Sequence, residues 1–383
     1  MRLRGGGFRV KMRFIPQSKY FEGVPVSKKK CIMVGVGGMA TLWTKQFWPP
    51  FSDRMEFAAL VDVNRDVLET RGQELGLPSS ALFTDVREAF KKVEADFCCI
   101  VTPPAFHREA IELACARKLD ILSEKPIADS WQDCCAIYKS VQASGVKMLV
   151  TQNYRYTTRI LTLKKAVAEL GAVNYAMGRY ASDYRVRNSW GKFRHEIPHT
   201  LLVEGGIHHL DQLRNLCEAN VSHISGWEWH PGQLRGAVEK FRGSDSFDGE
   251  PCASFVLKMT NNTFAHYEGN SLETGKLNSW HSEFYRVECE GGVAILDKDH
   301  IVRIEERSEH GMLKIREVPN VKTEYEGHIM MPFQFLEWLD GGPTPPTALQ
   351  DNIQSNAAMF AAIQASETNS TVDVQQFVKQ ATG

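Results

Sequence analysis

The feature that most constrains this chain is an apolar run that ends in closely spaced glycines. Residues 31–40 read Cys-Ile-Met-Val-Gly-Val-Gly-Gly-Met-Ala, which predicts a buried strand, a sharp turn and then a helix. The first turn of a helix directs free N–H groups and a partial positive charge outward, and a pyrophosphate suits that position. Small residues permit the turn and let backbone approach phosphate. The predicted cradle comprises Gly35, Gly37, Gly38 and Met39.

A glycine turn alone does not identify a dinucleotide site, and a second apolar strand adds the further evidence that is needed. It covers residues 57–61 and is followed by Asp62, 22 positions beyond Ala40. A carboxylate about 20 residues after such a turn binds the adenosine ribose of a dinucleotide and repels a 2′-phosphate. We therefore predict NAD, with NADP as the alternative because Arg65 is close by. A purely structural strand-turn-helix is the competing interpretation of the glycines.

Composition excludes several classes of function. The 383 residues are too many for one ordinary core and predict two domains. The 45 basic and 46 acidic side chains nearly cancel, which argues against binding nucleic acid or a membrane surface through net charge. No apolar run reaches the roughly 18 residues of a membrane span. The nine cysteines include two adjacent pairs and no C-x-x-C, a usage that favours a reducing cytoplasm over a disulfide framework.

Residues 1–27 are predicted to be an N-terminal extension. They are basic and glycine-rich but lack the apolar core of a secretory signal. A loosely held arm is one interpretation, and docking of Phe14, Tyr20 and Phe21 on a neighbouring surface is the other.

From residue 28 to residue 150, apolar strands alternate with helical segments, which predicts a parallel sheet with both faces covered. Ligands of such sheets collect at the carboxyl ends of the strands. The strand at residues 96–101 ends at Thr102 and Pro103, so these residues and His107 are candidates for the cofactor edge. The alternative for His107 is that it caps the next helix.

The strand at residues 119–122 runs into Ser123-Glu124-Lys125-Pro126. A lysine at this edge, beside the glycine turn, lies where a nicotinamide would present its reactive carbon. Its ammonium group can bind a substrate hydroxyl and stabilise the oxygen as negative charge develops. A solvated surface lysine is the ordinary alternative, but the position of Lys125 between a strand end and a proline favours the functional interpretation.

The motifs follow one another in a characteristic order and spacing: the glycine turn, Asp62, Thr102-Pro103-Pro104 with His107, and Glu124-Lys125-Pro126. This series resembles the Gfo/Idh/MocA family of NAD(P)-dependent oxidoreductases, which includes inositol and sugar dehydrogenases. The resemblance implies an α/β protein with an N-terminal Rossmann domain. It also implies a C-terminal α+β domain built on a large open, mainly antiparallel sheet. Lys125 would be the catalytic lysine and Glu124 a neighbour of the cofactor. Family members commonly form oligomers, so a homodimer or homotetramer is expected.

The turn Gln152-Asn153-Tyr154-Arg155-Tyr156 resembles the crossing of that family into the substrate domain. The resemblance places Asn153 against the cofactor and Tyr154 and Arg155 towards the substrate. Residues 182–203 then form a long irregular segment rich in aromatics and cations, a composition that suits a sugar, a carboxylate or a phosphate. Tyr184 and Trp190 are its substrate candidates, and a solvated loop is the alternative.

Glu204-Gly-Gly-Ile-His208-His209-Leu-Asp211 is the third informative stretch. On a helix, Glu204 and His208 would share a face, so His208 is a candidate general base and Glu204 the acid that orients it. The family commonly has aspartate at the position of Glu204, which has the longer side chain. His209 is assigned to the substrate. Zinc bound by His208, His209 and Asp211 is the rival interpretation, and we predict no metal, because adjacent histidines point apart.

The predicted domains are 28–151 for dinucleotide binding, 152–346 for substrate and oligomerisation, and 347–383 for a closing helix and tail near the domain boundary. The predicted reaction is hydride transfer between a secondary hydroxyl of a sugar or cyclitol and nicotinamide, with Lys125 and His208 handling the proton. Two alternatives are a redox-neutral glycosidase or lyase that retains NAD, and a non-enzymatic nucleotide or sugar sensor.

Overall fold

The computed structural model describes residues 27–182, 197–231, 250–272 and 283–383. Nearly all of the predicted N-terminal extension, including Phe14, Tyr20 and Phe21, lies outside the described residues.

Six parallel strands form the first sheet, in the spatial order β3-β2-β1-β4-β5-β6. The strands are β1 (Lys29–Val34), β2 (Met55–Val61), β3 (Leu82–Phe83), β4 (Phe97–Ile100), β5 (Asp120–Ser123) and β6 (Met148–Val150). Every residue of β4 and β6 is buried, as expected for strands covered on both faces. The predicted parallel sheet is confirmed, and its order is that of doubly wound dinucleotide-binding domains.

The helices of this half are α1 (Ala40–Leu42), α2 (Arg65–Glu74), α3 (Val86–Lys92), α4 (His107–Ala116) and α5 (Trp131–Ser144). Side chains of Asn64, Asp85 and Ser130 accept backbone N–H bonds at the starts of α2, α3 and α5, which explains where those helices begin.

The helix predicted after the glycine turn is only partly α-helical. After three residues of α1 it widens into a π-helical turn (Trp43–Phe47) and a 3-10 turn (Pro49–Phe51). The Thr44 hydroxyl donates to the carbonyls of Ala40 and Thr41, which competes with the regular helical bonds.

Nine strands of the described residues form the second sheet, in the order β14-β13-β12-β11-β7-β10-β9-β8-β15. They are β7 (Val173–Ala181), β8 (Val221–Trp229), β9 (Cys252–Met259), β10 (Phe264–Asn270), β11 (Glu283–Cys289), β12 (Gly292–Leu296), β13 (Val302–Arg307), β14 (Leu313–Glu317) and β15 (Val372–Asp373). Only the β7–β10 pair among these is parallel. The predicted mainly antiparallel sheet is confirmed.

Helices cover one face of this second sheet and join it to the first. They are α6 (Thr158–Leu170), α7 (Ile207–Cys217), α8 (Met330–Leu339), α9 (Leu349–Thr368) and α10 (Val374–Thr382). Helix α9 contributes Ile353 to a core beside the first sheet and Ala357 to the core of the second. Helix α8 packs Phe335 against Phe97 of β4, so part of segment 152–346 covers the dinucleotide-binding sheet.

No helix among the described residues is both long and apolar enough to cross a membrane. All nine cysteines are free thiols, and eight of them are buried.

Candidate active site

The glycine turn has the geometry that a pyrophosphate cradle requires. Gly35 has φ +85°, and a Cβ atom there would lie 2.6 Å from the carbonyl oxygen of Val101, so only glycine fits between β1 and the end of β4. Gly38, at φ +46°, is exposed and faces open space. The backbone N–H groups of Gly38 and Met39 have no hydrogen-bond partner among the described residues. These two donors fit a phosphate group at the start of the helix.

Asp62 lies at the end of β2 and already contacts this turn. Its Oδ2 accepts from the N–H groups of Val36 at 2.9 Å and Gly37 at 3.3 Å, and its Oδ1 accepts from Asn64 at 2.9 Å. Arg65 points its guanidinium to Glu69 at 2.7 Å. The arrangement fits a carboxylate beside the ribose of NAD.

The end of β4 forms the opposite wall. The side chain of Thr102 contacts the glycine turn, and its hydroxyl is buried with no partner among the described residues; Pro103 beside it is exposed. His107 is fully buried and does not cap α4. Its Nε2 lies 2.8 Å from the Thr102 carbonyl and its Nδ1 3.1 Å from the Pro126 carbonyl. Burial lowers the pKa of His107, and the carbonyl contacts offset part of that effect.

Glu124 connects the two predicted motifs. Its Oε1 accepts from the indole N–H of Trp43 at 2.9 Å, and Trp43 lies in the π-helical turn after the cradle. Burial raises the pKa of the Glu124 carboxyl, and Lys125 partly opposes that rise. The bond therefore fixes the loop after β5 against the helix that follows the glycines.

Lys125 reaches across to the second domain. Its ammonium donates to the backbone carbonyl of Glu204 at 3.0 Å and lies 3.2 Å from the carboxylate oxygen of the same residue. Only 12% of the Lys125 side chain and 4% of the Glu204 side chain are exposed. A lysine with these contacts is a buried, oriented donor and not a solvated surface group.

Gln152, Tyr154 and His208 form the other half of the site. The Nδ1 atom of His208 lies 2.9 Å from the amide oxygen of Gln152, and the ring stacks on Tyr154 with centroids 4.1 Å apart. An amide oxygen accepts, so this contact places a proton on Nδ1. Glu204 contacts Lys125, and Gln152 contacts His208. The predicted role of Glu204 in orienting His208 stays a prediction.

His209 lies on a buried polar layer beneath the site. Its Nδ1 is 3.0 Å from the hydroxyl of Tyr267, and its Nε2 is 4.0 Å from Glu283 Oε1. The other oxygen of Glu283 lies 3.4 Å from Arg159. Burial raises the pKa of Glu283 to about 7, although Arg159 acts against the rise.

Two residues of the crossing segment are bonded to protein groups. Asn153 donates to His328, and its own amide oxygen is buried without a partner among the described residues. Arg155 binds both carboxylate oxygens of Asp211, at 2.7 and 2.6 Å, and also contacts Asp351. These contacts give Arg155 a structural role; its predicted substrate contact stays a prediction.

The predicted substrate residues Tyr184 and Trp190 lie outside the described residues. Sequence reasoning missed Gln152, Trp43, Arg159 and Glu283. Gln152 alone had a usable signal, because it follows β6 at the carboxyl edge of the sheet.

Comparison with known proteins agrees with this geometry. Residues 29–152 match the model of the Gfo/Idh/MocA oxidoreductase family, NAD-binding Rossmann fold. The chain is 35% identical over 361 residues to the uncharacterized protein y4oX of Sinorhizobium fredii, covering 91% of this chain and 97% of that protein. It is 29% identical over 160 residues to D-apiose dehydrogenase of Rhizobium rhizogenes, covering 41% and 45%. A crystal structure of an Agrobacterium radiobacter oxidoreductase with NAD+, L-tartaric acid and magnesium shares the fold, with TM-score 0.76 and 19% identity over 91% of this chain and 99% of that one.

Proposed function

The chain belongs to the Gfo/Idh/MocA family of NAD-binding oxidoreductases, and from this premise we propose that it transfers a hydride between a secondary hydroxyl of a sugar or cyclitol and nicotinamide. The observation that carries the proposal is the buried contact of Lys125 with Glu204, at the strand edge that also holds the glycine cradle. Similarity to D-apiose dehydrogenase supports a sugar substrate.

Residues of this chain would hold the cofactor at both ends. The N–H groups of Gly38 and Met39 would bind the pyrophosphate, and Asp62 would accept from the ribose, which favours NAD over NADP. Thr102 and Asn153 each present a buried oxygen without a partner among the described residues. When bound, the nicotinamide supplies the hydride acceptor, or the donor in the reverse direction.

The side chains divide the handling of the proton. In the oxidative direction, Nε2 of His208 would accept the hydroxyl proton while the Lys125 ammonium stabilises the developing alkoxide. The two residues could exchange these parts. Gln152 would hold His208 in the required tautomer, and Glu204 would hold the lysine ammonium in place.

A redox-neutral reaction that retains NAD is the second candidate. Glu283 favours it, because a buried carboxyl with a pKa of about 7, 4.0 Å from His209, is an additional acid-base group that elimination could use. Turnover without net accumulation of NADH would identify this reaction.

The first experiment is a screen of sugars, cyclitols and uronates with NAD and NADP, monitored by NADH or NADPH absorbance and by product analysis. With an active substrate, Lys125→Ala should slow single-turnover hydride transfer by roughly 10²–10⁴-fold, the usual contribution of such assistance, while NAD still binds. A normal hydride-transfer rate in this variant would contradict the assignment.

Lys125→Ala also leaves the buried Glu204 carboxylate without its ammonium partner, which is destabilising. The double variant Lys125→Met with Glu204→Gln is the matched control, since it removes both charges and keeps the side-chain volume. It should remain folded by circular dichroism and be as slow as Lys125→Ala.

A further inference from the structure

We propose that His199, Glu228 and Glu250 form a binding site for one divalent transition cation of the zinc type, separate from the dinucleotide site. His199 precedes the π-helical segment Leu201–Gly206, Glu228 lies on β8, and Glu250 precedes β9. The proposal is independent of the proposed function.

The donor atoms already converge. The Nδ1 atom of His199 is 2.8 Å from Glu228 Oε2 and 3.6 Å from Glu250 Oε2. One ligand atom from each of the three residues lies within 4.8 Å of the others. Donors around a tetrahedral Zn2+, with bonds of about 2.0–2.2 Å, are separated by about 3.4 Å. Small side-chain shifts would therefore complete such a site.

A second observation points to a missing ligand. The Glu228 side chain is only 1% exposed, and its Oε1 is buried with no hydrogen-bond partner among the described residues. A buried carboxylate oxygen without a partner is costly. The oxygen that faces His199 is Oε2, so a cation bound by both oxygens of this carboxylate would remove that cost.

The charges around His199 favour a cation as well. Glu367 Oε1 lies 3.8 Å from Nε2, the ring nitrogen that does not face the other two carboxylates. With metal on Nδ1, the Nε2–H group would point to Glu367, the arrangement in which a carboxylate orients a metal-bound histidine. Three carboxylates around one imidazole give an excess of negative charge that one divalent ion would largely neutralise.

The donor set selects the class of metal. One imidazole with two carboxylates suits Zn2+ among the divalent ions, whereas Mg2+ and Ca2+ favour sites built of oxygen alone. A bound ion would also act on the active site from a distance. The carbonyl of His199 accepts from Val203 N at 2.9 Å, so the ion would anchor the start of the segment that carries Glu204.

The test measures zinc binding by the full-length protein after EDTA treatment and desalting. Equilibrium dialysis against ZnSO4 with metal analysis should give one Zn2+ per chain, and the affinity should fall at least about tenfold in Glu250→Gln and in His199→Gln. His223→Gln is the matched control, because His223 is exposed on β8, and it should bind as the wild type does. Unchanged affinity in both site variants, or no zinc bound by the wild type, would overturn the proposal and leave His199 and Glu228 as an ion pair only.

A Co2+ titration identifies the ligands. The proposed donors predict weak ligand-field bands with no thiolate charge-transfer band, and these should be absent in Glu250→Gln. A thiolate band would place the metal on a cysteine and overturn the proposal. Glu250 is about one-third exposed, so the Gln variant should keep the fold, which circular dichroism checks.

Discussion

At the scale of single residues, the contact with Gln152 determines which ring nitrogen of His208 carries a proton. The Gln152 amide oxygen is 2.9 Å from Nδ1, and this contact directs Nε2 away from Gln152. In the proposed reaction Gln152 would therefore be a positioning residue, which acts through His208 and not on the substrate.

We expect Gln152→Leu to lower the single-turnover rate by roughly tenfold or more, because the ring loses the acceptor that selects its tautomer. Gln152→Glu keeps an acceptor at the same position and should recover much of the rate. The measurement is single-turnover NADH absorbance with an active substrate. An equal loss of single-turnover rate in the two variants would indicate that Gln152 has a packing role instead.

Glu283 makes folding stability depend on pH. Burial raises its pKa from 4.5 to about 7, so between these values the folded protein holds a proton that the unfolded chain has released. The contribution of Glu283 to stability should then fall as pH rises from about 4.5 to about 7 and change little above that range. The full effect is on the order of 3 kcal/mol, from the shift in pKa.

Glu283→Gln mimics the protonated side chain and should remove this pH dependence. Urea unfolding at pH 5 and pH 8 measures the free energy of unfolding. The variant should be closer to the wild type in stability at pH 5 and more stable than the wild type at pH 8. Glu317→Gln, at a side chain 66% exposed, is the control and should leave the pH dependence unchanged. A variant less stable than the wild type at pH 8 would contradict the prediction.

At the scale of elements, the glycine turn is fixed by two constraints at once. Gly35 combines a left-handed backbone with steric exclusion, because a Cβ atom at this position would lie 2.6 Å from the Val101 carbonyl oxygen. Gly145 at the end of α5 has φ +73°, but a Cβ atom there would meet nothing within 4 Å. Substitutions at the two glycines can therefore separate the cost of backbone strain from the cost of steric exclusion.

Gly145→Ala should cost about 1 kcal/mol, the penalty of a left-handed residue. Gly35→Ala carries the same penalty and also pushes β1 away from β4. We therefore expect its loss of stability to exceed that of Gly145→Ala by about 2 kcal/mol, and we expect NAD to bind much more weakly. Urea unfolding and a fluorescence titration with NADH measure the two effects. Equal stability losses in the two variants would show that the close contact relaxes freely.

The elements also show which residues of the candidate site could be predicted from the sequence. Lys125 and Asp62 could be predicted because each follows an apolar strand, and parallel strands bring their carboxyl ends to one edge. Gln152 and Glu283 could not be paired with His208 and His209, since those contacts arise from packing between segments distant in sequence.

Local helical geometry bears on the predicted pairing of Glu204 with His208. The prediction placed it on the face of His208 by assuming 3.6 residues per turn, but residues 201–206 are π-helical. The wider turn alters which side chains share a face. Nothing in the sequence of this short segment distinguishes the two helix types.

At the scale of the whole molecule, a buried network ties the crossing segment to helices α7 and α9. Asp211 of α7 binds Arg155, Arg214 and the Ser355 hydroxyl of α9. Burial alone would raise the pKa of Asp211, but the charge and hydrogen bonds of Arg155 outweigh it and lower the pKa. The carboxylate thus stays ionised and holds α7, which carries His208 and His209, against the crossing segment and α9.

The face of the second sheet that the helices leave uncovered is where we expect copies of the chain to associate. Trp227, Trp229, Val256 and Phe264 are each at least 44% exposed on the adjacent strands β8, β9 and β10. Clusters of large exposed apolar side chains mark interaction surfaces. Among the described residues the helices pack on the opposite face and leave this cluster exposed, so a second copy of the chain could cover it.

We therefore expect the wild type to be oligomeric and the double variant Val256→Lys with Phe264→Lys to be monomeric, because buried lysines would face one another across the interface. Analytical ultracentrifugation at several concentrations measures the mass. Met312→Lys is the matched control, since Met312 is 66% exposed but lies outside the cluster, and it should keep the wild-type mass. A double variant that sediments like the wild type would place the interface on another surface.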